Sequence, residues 1–316
     1  MTRWTVSDTP PQPGRTAIVT GTGGLGPEDA LALAGVGARV ILAGRSAAKG
    51  AGAVARIGRR FPQTAIRFER FDLADLHSVA DFAERILQYR HSIDLLINNA
   101  GVIVPSRRTL TADGFELQLS TNYLGHFALT AYLLPLLSRA CHARAVSFCS
   151  IAAPQGRIDL ADLIAERSYK PMQVYAQSKL ACLMFAFELQ RRSDAAGWGI
   201  TSIAAQPGVA RTDLLHNGSG RASIRDAFVS GYPSSSRPRG AAPCPSCLPR
   251  HRPMPSLAAI MGRMDWRICA AIPPGRRTPP QALDMAMAAR LLTTSEALVG
   301  LRFDAAGASA TLASAA

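Results

Sequence analysis

Thr16-Ala-Ile-Val-Thr20 runs directly into Gly21-Thr22-Gly23-Gly24-Leu25-Gly26, and an apolar-rich helix is predicted from about Pro27 to Val36. The short run before the glycine cluster reads as a buried strand. Proline suits a first helical position, where its missing N–H would be unpaired anyway. Strand, glycine turn and helix in that order form the context that a dinucleotide fingerprint needs. Glycines let the backbone approach a pyrophosphate, and a helix N-terminus offers free N–H groups with a partial positive charge. A glycine-rich turn alone is often only a turn, but the flanking elements favour cofactor binding. Gly21, Thr22, Gly24, Leu25 and Gly26 are the candidate cradle.

A second strand, Ala38–Ala43, ends in Gly44-Arg45. An NAD site usually has an acidic residue near this point to bond the ribose 2′-hydroxyl. A guanidinium pairs instead with a 2′-phosphate, so NADP(H) is the preferred cofactor and NAD(H) the second candidate. Beyond it come a helix near 46–60, a strand ending at Phe71-Asp72-Leu73, a helix near 76–90 and a strand Ile93–Ile97. Strands alternating with helices predict an α/β fold: a single Rossmann-type domain with a doubly wound parallel sheet. Asn98-Asn99-Ala100-Gly101 follows the fourth strand, at the carboxyl edge where such sheets bind ligands. A long helix near 113–138 carries Thr121-Asn122-Tyr123-Leu124-Gly125-His126. A strand Arg144–Phe148 then leads to Cys149-Ser150, and a sixth strand, Gly199–Ala204, leads to Gln206-Pro207-Gly208.

Between the fifth and sixth strands lies Tyr175-Ala176-Gln177-Ser178-Lys179. Residues four apart on a helix share a face, so a phenol and an ammonium can serve one small site. A nearby cation favours phenolate over phenol and makes a weak acid usable as an acid/base. The alternative is a surface tyrosine beside a solvated lysine. With 6 Tyr and 3 Lys in 316 residues, random placement gives only about 0.06 such pairs at this spacing.

Taken together, TGTGGLG, NNAG, TNYLGHF, Ser150, YAQSK and AQPGVARTDL resemble the short-chain dehydrogenase/reductase family, in that family's order over about 14–216, with a weaker match at 279–300. The segment Ile158–Met172 resembles the retinol-dehydrogenase and protochlorophyllide-reductase-like branch. The resemblance implies an NADP(H)-dependent oxidoreductase that interconverts a carbonyl and an alcohol. It implies Tyr175 as acid/base, Lys179 holding the nicotinamide ribose and assisting Tyr175, Ser150 bonding the substrate oxygen, and Asn122 anchoring a relay water. It further implies that Asp72 and Leu73 lie at the adenine, that Asn99, Ala100 and Gly101 line the cofactor, and that Pro207, Gly208, Val209 and Thr212 cover the carboxamide. A homodimer or homotetramer is compatible with the family. The glycine turn departs from the family's TGxxxGxG by one missing residue, and Pro27 lacks a backbone N–H. A catalytically silent dinucleotide- or partner-binding protein is the alternative.

The remaining features bound the function. The chain is 48% hydrophobic and 18% charged, which suits a globular core. No apolar run is long enough to span a bilayer, and the first residues contain no apolar signal-peptide stretch. Six cysteines without framework spacing fit a reducing, cytoplasmic location. The +13 formal charge is uneven: residues 221–278 hold ten Arg and two Asp. No basic helix or aromatic-spaced patch accompanies it, so specific nucleic-acid binding is not expected. His126 and His142 are expected to be structural and without a pairing partner, and Cys149 is expected to pack harmlessly. Cys244-x-x-Cys247 is half a metal motif without a second pair, so no metal is expected.

The domain reading is a lead-in at 1–13, a dinucleotide-binding and catalytic core at 14–220, an anomalous segment at 221–278 and a C-terminal helix and tail at 279–316. From about Asp226 to Arg277 hydrophobic periodicity vanishes into Arg/Pro-rich sequence. Back-translation through G/C-rich codons in one adjacent frame gives GGYYGPDGLADLRG, LFFQA and ALPVLFAAPPPDA, strings that contain an amphipathic helix and a glycine–tyrosine turn like the one ending this family's last strand. A shifted reading frame is therefore expected there, with loss of the substrate lid and of an edge strand; a genuine Arg/Pro-rich insertion is the alternative.

Overall fold

A computed structural model describes residues 9–207, 270–271 and 278–303. Its strands are β1 (Thr16–Thr20), β2 (Arg39–Gly44), β3 (Ile66–Arg70), β4 (Leu95–Asn98), β5 (Arg144–Phe148), β6 (Thr201–Ala205) and β7 (Ala270–Ala271). They form one sheet in the order β3-β2-β1-β4-β5-β6-β7, and every pairing is parallel. The order reverses between β1 and β4, which opens a crevice at the carboxyl ends of those neighbours. β1 and β4 are buried along their whole length, as strands covered on both faces must be.

Helices α1 (Gly26–Gly35) and α2 (Ala47–Arg60) are connected in chain order to β1–β3. One face of the sheet buries Val19, Leu42, Ile97, Val146 and Ile203 with Leu33 of α1 and Ile57 of α2. The opposite face buries Ile18, Ile41 and Leu96 against α3 (Leu76–Tyr89), α5 (Gly125–Ser138) and α6 (Pro171–Ala196). α7 (Met285–Val299) docks on α6 and its neighbours. Tyr123 Oη and Ser295 Oγ lie 2.8 Å apart, and Arg192 meets Glu296 at 2.6 Å.

Several predicted boundaries shift. The third strand ends at Arg70, so Asp72 and Leu73 lie beyond it, in a turn closed by Ala74 N–H donating to Asp72 Oδ1 (3.0 Å). The helix expected near 113–138 begins only at α4 (Leu117–Leu119) and passes through a π-helical turn, Ser120–Leu124, before α5. Such single π turns recur at functional positions, and Asn122 sits inside this one. The expected loss of the edge strand is corrected in part: β7 is present but short, pairing only Ala204 with Ala270 and Ala205 with Ala271.

Candidate active site

β1 ends at Thr20, and the turn that follows uses left-handed backbone at Gly21 (φ 99°) and Gly24 (φ 61°). A Cβ at Gly21 would approach Asn99 Nδ2 at 2.9 Å, while one at Gly26 would overlap the Gly21 carbonyl oxygen. The shortened turn therefore still closes, because both positions lack a side chain. Leu25 precedes α1 without any side-chain cap, and Pro27 occupies its first turn. Gly44 lies close behind this turn, within 3.1 Å of the Thr22 side chain if it carried a Cβ. The next residue, exposed Arg45, stands 3.8 Å from Asp72 Oδ1. Both side chains are solvated, so the pair is weak and Arg45 keeps donors for another anion.

The other wall is the end of β4. Asn99 Nδ2 donates to the Thr20 carbonyl at 2.8 Å, and the Asn99 and Ala100 N–H groups both donate to Thr20 Oγ1 at 3.0 Å. Gly101 brings three elements together: a Cβ there would lie 3.0 Å from Asn122 Oδ1 and 3.5 Å from Lys179 Nζ. Asn122 grips the loop through both sides of its amide. Val102 N–H donates to Oδ1 (2.8 Å), while Nδ2 donates to the Val102 carbonyl (3.1 Å) and to Ser178 Oγ (2.9 Å).

On α6, Tyr175 and Lys179 are both buried, at 4% and 5% exposure. Lys179 Nζ donates to the Phe148 carbonyl at the end of β5 (3.0 Å). Ser178 Oγ donates to the Tyr175 carbonyl (2.8 Å), so Asn122 and Tyr175 share one hydrogen-bonded chain. Ser150 is half-buried in the turn after β5, where its Oγ accepts from Ala152 N–H (3.2 Å). Ala152 packs with Tyr175, Ile103, Val104 and Ala176 in one apolar cluster, with Met172 at its margin. The arrangement places a phenol, an ammonium and a hydroxyl at the carboxyl end of β4 and β5, next to an apolar wall.

One expectation changes. His126 is structural but not solitary: Nδ1 lies 3.0 Å from the Asn122 carbonyl and Nε2 lies 2.8 Å from Thr20 Oγ1. A carbonyl only accepts, so Nδ1 carries the proton and Nε2 accepts the Thr20 hydroxyl. Burial, with the Lys179 charge adding to it, pushes the imidazole down to about 3. Cys149 is buried, donates to the Ala205 carbonyl (3.2 Å), and is pushed up to about 12 by that burial. His142 is exposed with φ 61°, and its carbonyl accepts from Arg15. Thr20, Gln118, His126, Ser178 and Cys182, whose Sγ donates to the Asn122 carbonyl (3.2 Å), were not legible as site residues. Helical spacing from Asn122 to Gln118 and His126, and from Lys179 to Cys182, is the one signal that could have found some of them.

Pro207 ends the first described stretch; Gly208, Val209, Thr212, Cys244 and Cys247 lie outside the described residues, as does the 221–278 segment apart from β7 and residue 278. Among the described residues no helix is long and apolar enough to cross a membrane, and no cluster of three metal-ligating side chains occurs.

A sequence model of the short chain dehydrogenase family matches residues 15–221. Polyprenol dehydrogenase of Mus musculus is 44% identical over 214 residues, which cover 66% of this chain and 63% of the relative. Retinol dehydrogenase 13 of Mus musculus is 42% identical over 212 residues, covering 65% and 63%. The match thus spans less than two thirds of those relatives' length. A crystal structure from Mycobacterium paratuberculosis superposes with a TM-score of 0.72 at 34% identity, covering 96% of this chain and all of that one. The Pseudomonas aeruginosa RhlG/NADP complex has a TM-score of 0.55 at 22% identity, covering 73% and 84%, which is a likeness of fold.

Proposed function

From the premise that this chain belongs to the short-chain dehydrogenase/reductase family, in its retinol-dehydrogenase-like branch, we propose that it interconverts a carbonyl and an alcohol with NADP(H) as preferred cofactor. The observation that carries this reading is the convergence of Lys179 and Asn122 on Gly101, with Tyr175 one turn away on the same helix. The cradle suits a dinucleotide. Gly21 and Gly26 leave no side chain between the first turn and Asn99, and α1 begins without a side-chain cap. Gly21, Thr22, Gly24, Leu25 and Gly26 would hold the pyrophosphate, while Asp72 and Leu73 would face the adenine. Asn99 to Gly101 would line the ribose side, and Pro207, Gly208, Val209 and Thr212 would cover the carboxamide. Arg45 would pair with a 2′-phosphate, which a diphosphonucleotide without it cannot offer.

When bound, the nicotinamide supplies or accepts the hydride. Tyr175 gives the substrate oxygen its proton in reduction and removes it in oxidation. Lys179, held by the Phe148 carbonyl, sets a positive charge on the Tyr175 side of the site and keeps two further N–H donors for a ribose. Ser150 donates to the same oxygen and fixes its direction. Asn122 anchors a relay water. The Ile103–Val104–Ala152–Met172 surroundings of Tyr175 favour an apolar substrate and shield it from bulk solvent.

The domain division at 14–220, 221–278 and 279–316, a cytoplasmic location, and a homodimer or homotetramer belong to the same proposal. The described core supports the first, free cysteines the second, and the family the third.

Turnover of a simple ketone or aldehyde with NADPH tests the reading. Tyr175→Phe is expected to lower kcat by roughly 10²–10⁴-fold while NADPH still binds. Unchanged turnover in that variant would remove Tyr175 from the mechanism. Tight NADPH binding without turnover by the unaltered chain would instead establish the catalytically silent alternative.

A further inference from the structure

The loop after β4 contains a conformation that β-branched side chains rarely take. Val104 has φ 48° and is buried, which crowds its Cβ branches against the backbone. Such a residue persists only where its surroundings over-determine it. Gln118, fully buried on α4, supplies one of those constraints. Its Oε1 accepts Val104 N–H at 2.8 Å, and its Nε2 donates to the Pro171 carbonyl at 3.1 Å and meets Tyr169 Oη at 3.4 Å. The amide has one orientation available, since Val104 N–H can only donate and the Pro171 carbonyl can only accept. Tyr169 Oη completes the clasp by donating to the Pro105 carbonyl at 2.8 Å.

We propose that Gln118 is a positioning residue, whose amide fastens the strained Val104 turn to the start of α6 and so holds Ile103 and Val104 against Tyr175 as the wall on which an apolar substrate packs. Pro171 is the first residue of α6, the helix that carries Tyr175. Asn122, four residues after Gln118, grips Val102 and Ser178 in the same manner. Two amides one helical turn apart therefore tie one loop to one helix at two heights. Asn122 faces the cofactor side through Gly101 and Lys179, whereas Gln118 acts on Val104, on the apolar side. The two should consequently affect different constants.

The inference rests on Tyr175 being the acid/base, and the test keeps the two apart. Gln118→Ala is expected to raise KM for an apolar ketone roughly tenfold, leaving the NADPH Kd within about twofold. Independently of activity, hydrogen exchange at the Val104 amide should accelerate at least about tenfold in Gln118→Ala, while amides of β1 and β5 keep their protection. Adding Val104→Gly, which relieves the left-handed strain at that position, should restore the fold if the single variant is poorly folded, while KM stays raised because the Val104 side chain has left the wall. An unchanged Val104 exchange rate, an unchanged KM in a Gln118→Ala variant that turns over substrate, or a double variant that remains unfolded would each overturn the proposal. Wild-type turnover by Tyr175→Phe would overturn the catalytic reading instead, leaving the exchange result to judge the clasp.

Discussion

His126 Nε2 and Thr20 Oγ1 are joined at 2.8 Å across 106 residues of chain, and the same hydroxyl receives the Asn99 and Ala100 amides. One imidazole thus couples the end of β1, the loop after β4 and the π turn that carries Asn122. The coupling favours a neutral ring, because a proton on Nε2 would be aimed at a hydroxyl oxygen that already accepts two amide N–H groups.

This sets an acid limit on stability. The folded imidazole is held down to about 3 by burial, below the ordinary histidine range near 6.5. Below about pH 6.5 the unfolded chain therefore binds a proton that the folded chain refuses, and stability falls as pH drops toward about 3. His126→Gln, which keeps a polar group toward Thr20, should flatten that acid slope. Urea midpoints measured from pH 7 to 4 for both proteins check it; parallel curves would mean that the ring is not the titrating group.

Arg45 should govern cofactor choice. Its contact with Asp72 is long and exposed at both ends, so little is lost on removing it. Arg45→Ala is expected to weaken NADPH binding by roughly tenfold or more and to change NADH binding little. Fluorescence titration of the two cofactors reads the ratio, and equal weakening of both would remove the 2′-phosphate role.

The glycine turn should tolerate no methyl at Gly26. A Cβ there overlaps the Gly21 carbonyl oxygen, which is backbone and cannot rotate away. Gly26→Ala is expected to cost about 1–3 kcal/mol of stability and to weaken cofactor binding, measured as a lower urea midpoint and a raised NADPH Kd. Gly23→Ala is the control, since open space surrounds that position.

Resequencing the coding DNA across residues 220–280 should find compensating one-base changes flanking the Arg/Pro-rich stretch. Restoring the frame should then produce a chain with higher ketone turnover than this one. An unshifted reading would leave the stretch as a genuine insertion.

The fold was legible because its signals are local. The apolar runs Thr16–Thr20 and Ile93–Ile97 read as strands, and the strands that form there, Thr16–Thr20 and Leu95–Asn98, are buried throughout. The Tyr175–Lys179 spacing needs only helical geometry. What escaped was the start of the helical run at Leu117 and its π turn, since the sequence of Ser120–Leu124 differs little from an ordinary helix. The bond that distinguishes Asn122 is made to a loop and to Ser178, 56 residues on.

By itself, then, the sequence determined the parallel α/β order, the glycine turn, Arg45 after β2 and the phenol–ammonium pair, all set by period, chirality and backbone freedom over a few residues. Only the tertiary structure decided that His126 is neutral and bonded at both nitrogens, that Asn122 and Lys179 meet over Gly101, and that Gln118 restrains a strained Val104. Those facts depend on hydrogen bonds between distant segments, whose donors and acceptors find their partners only once the sheet and helices have packed.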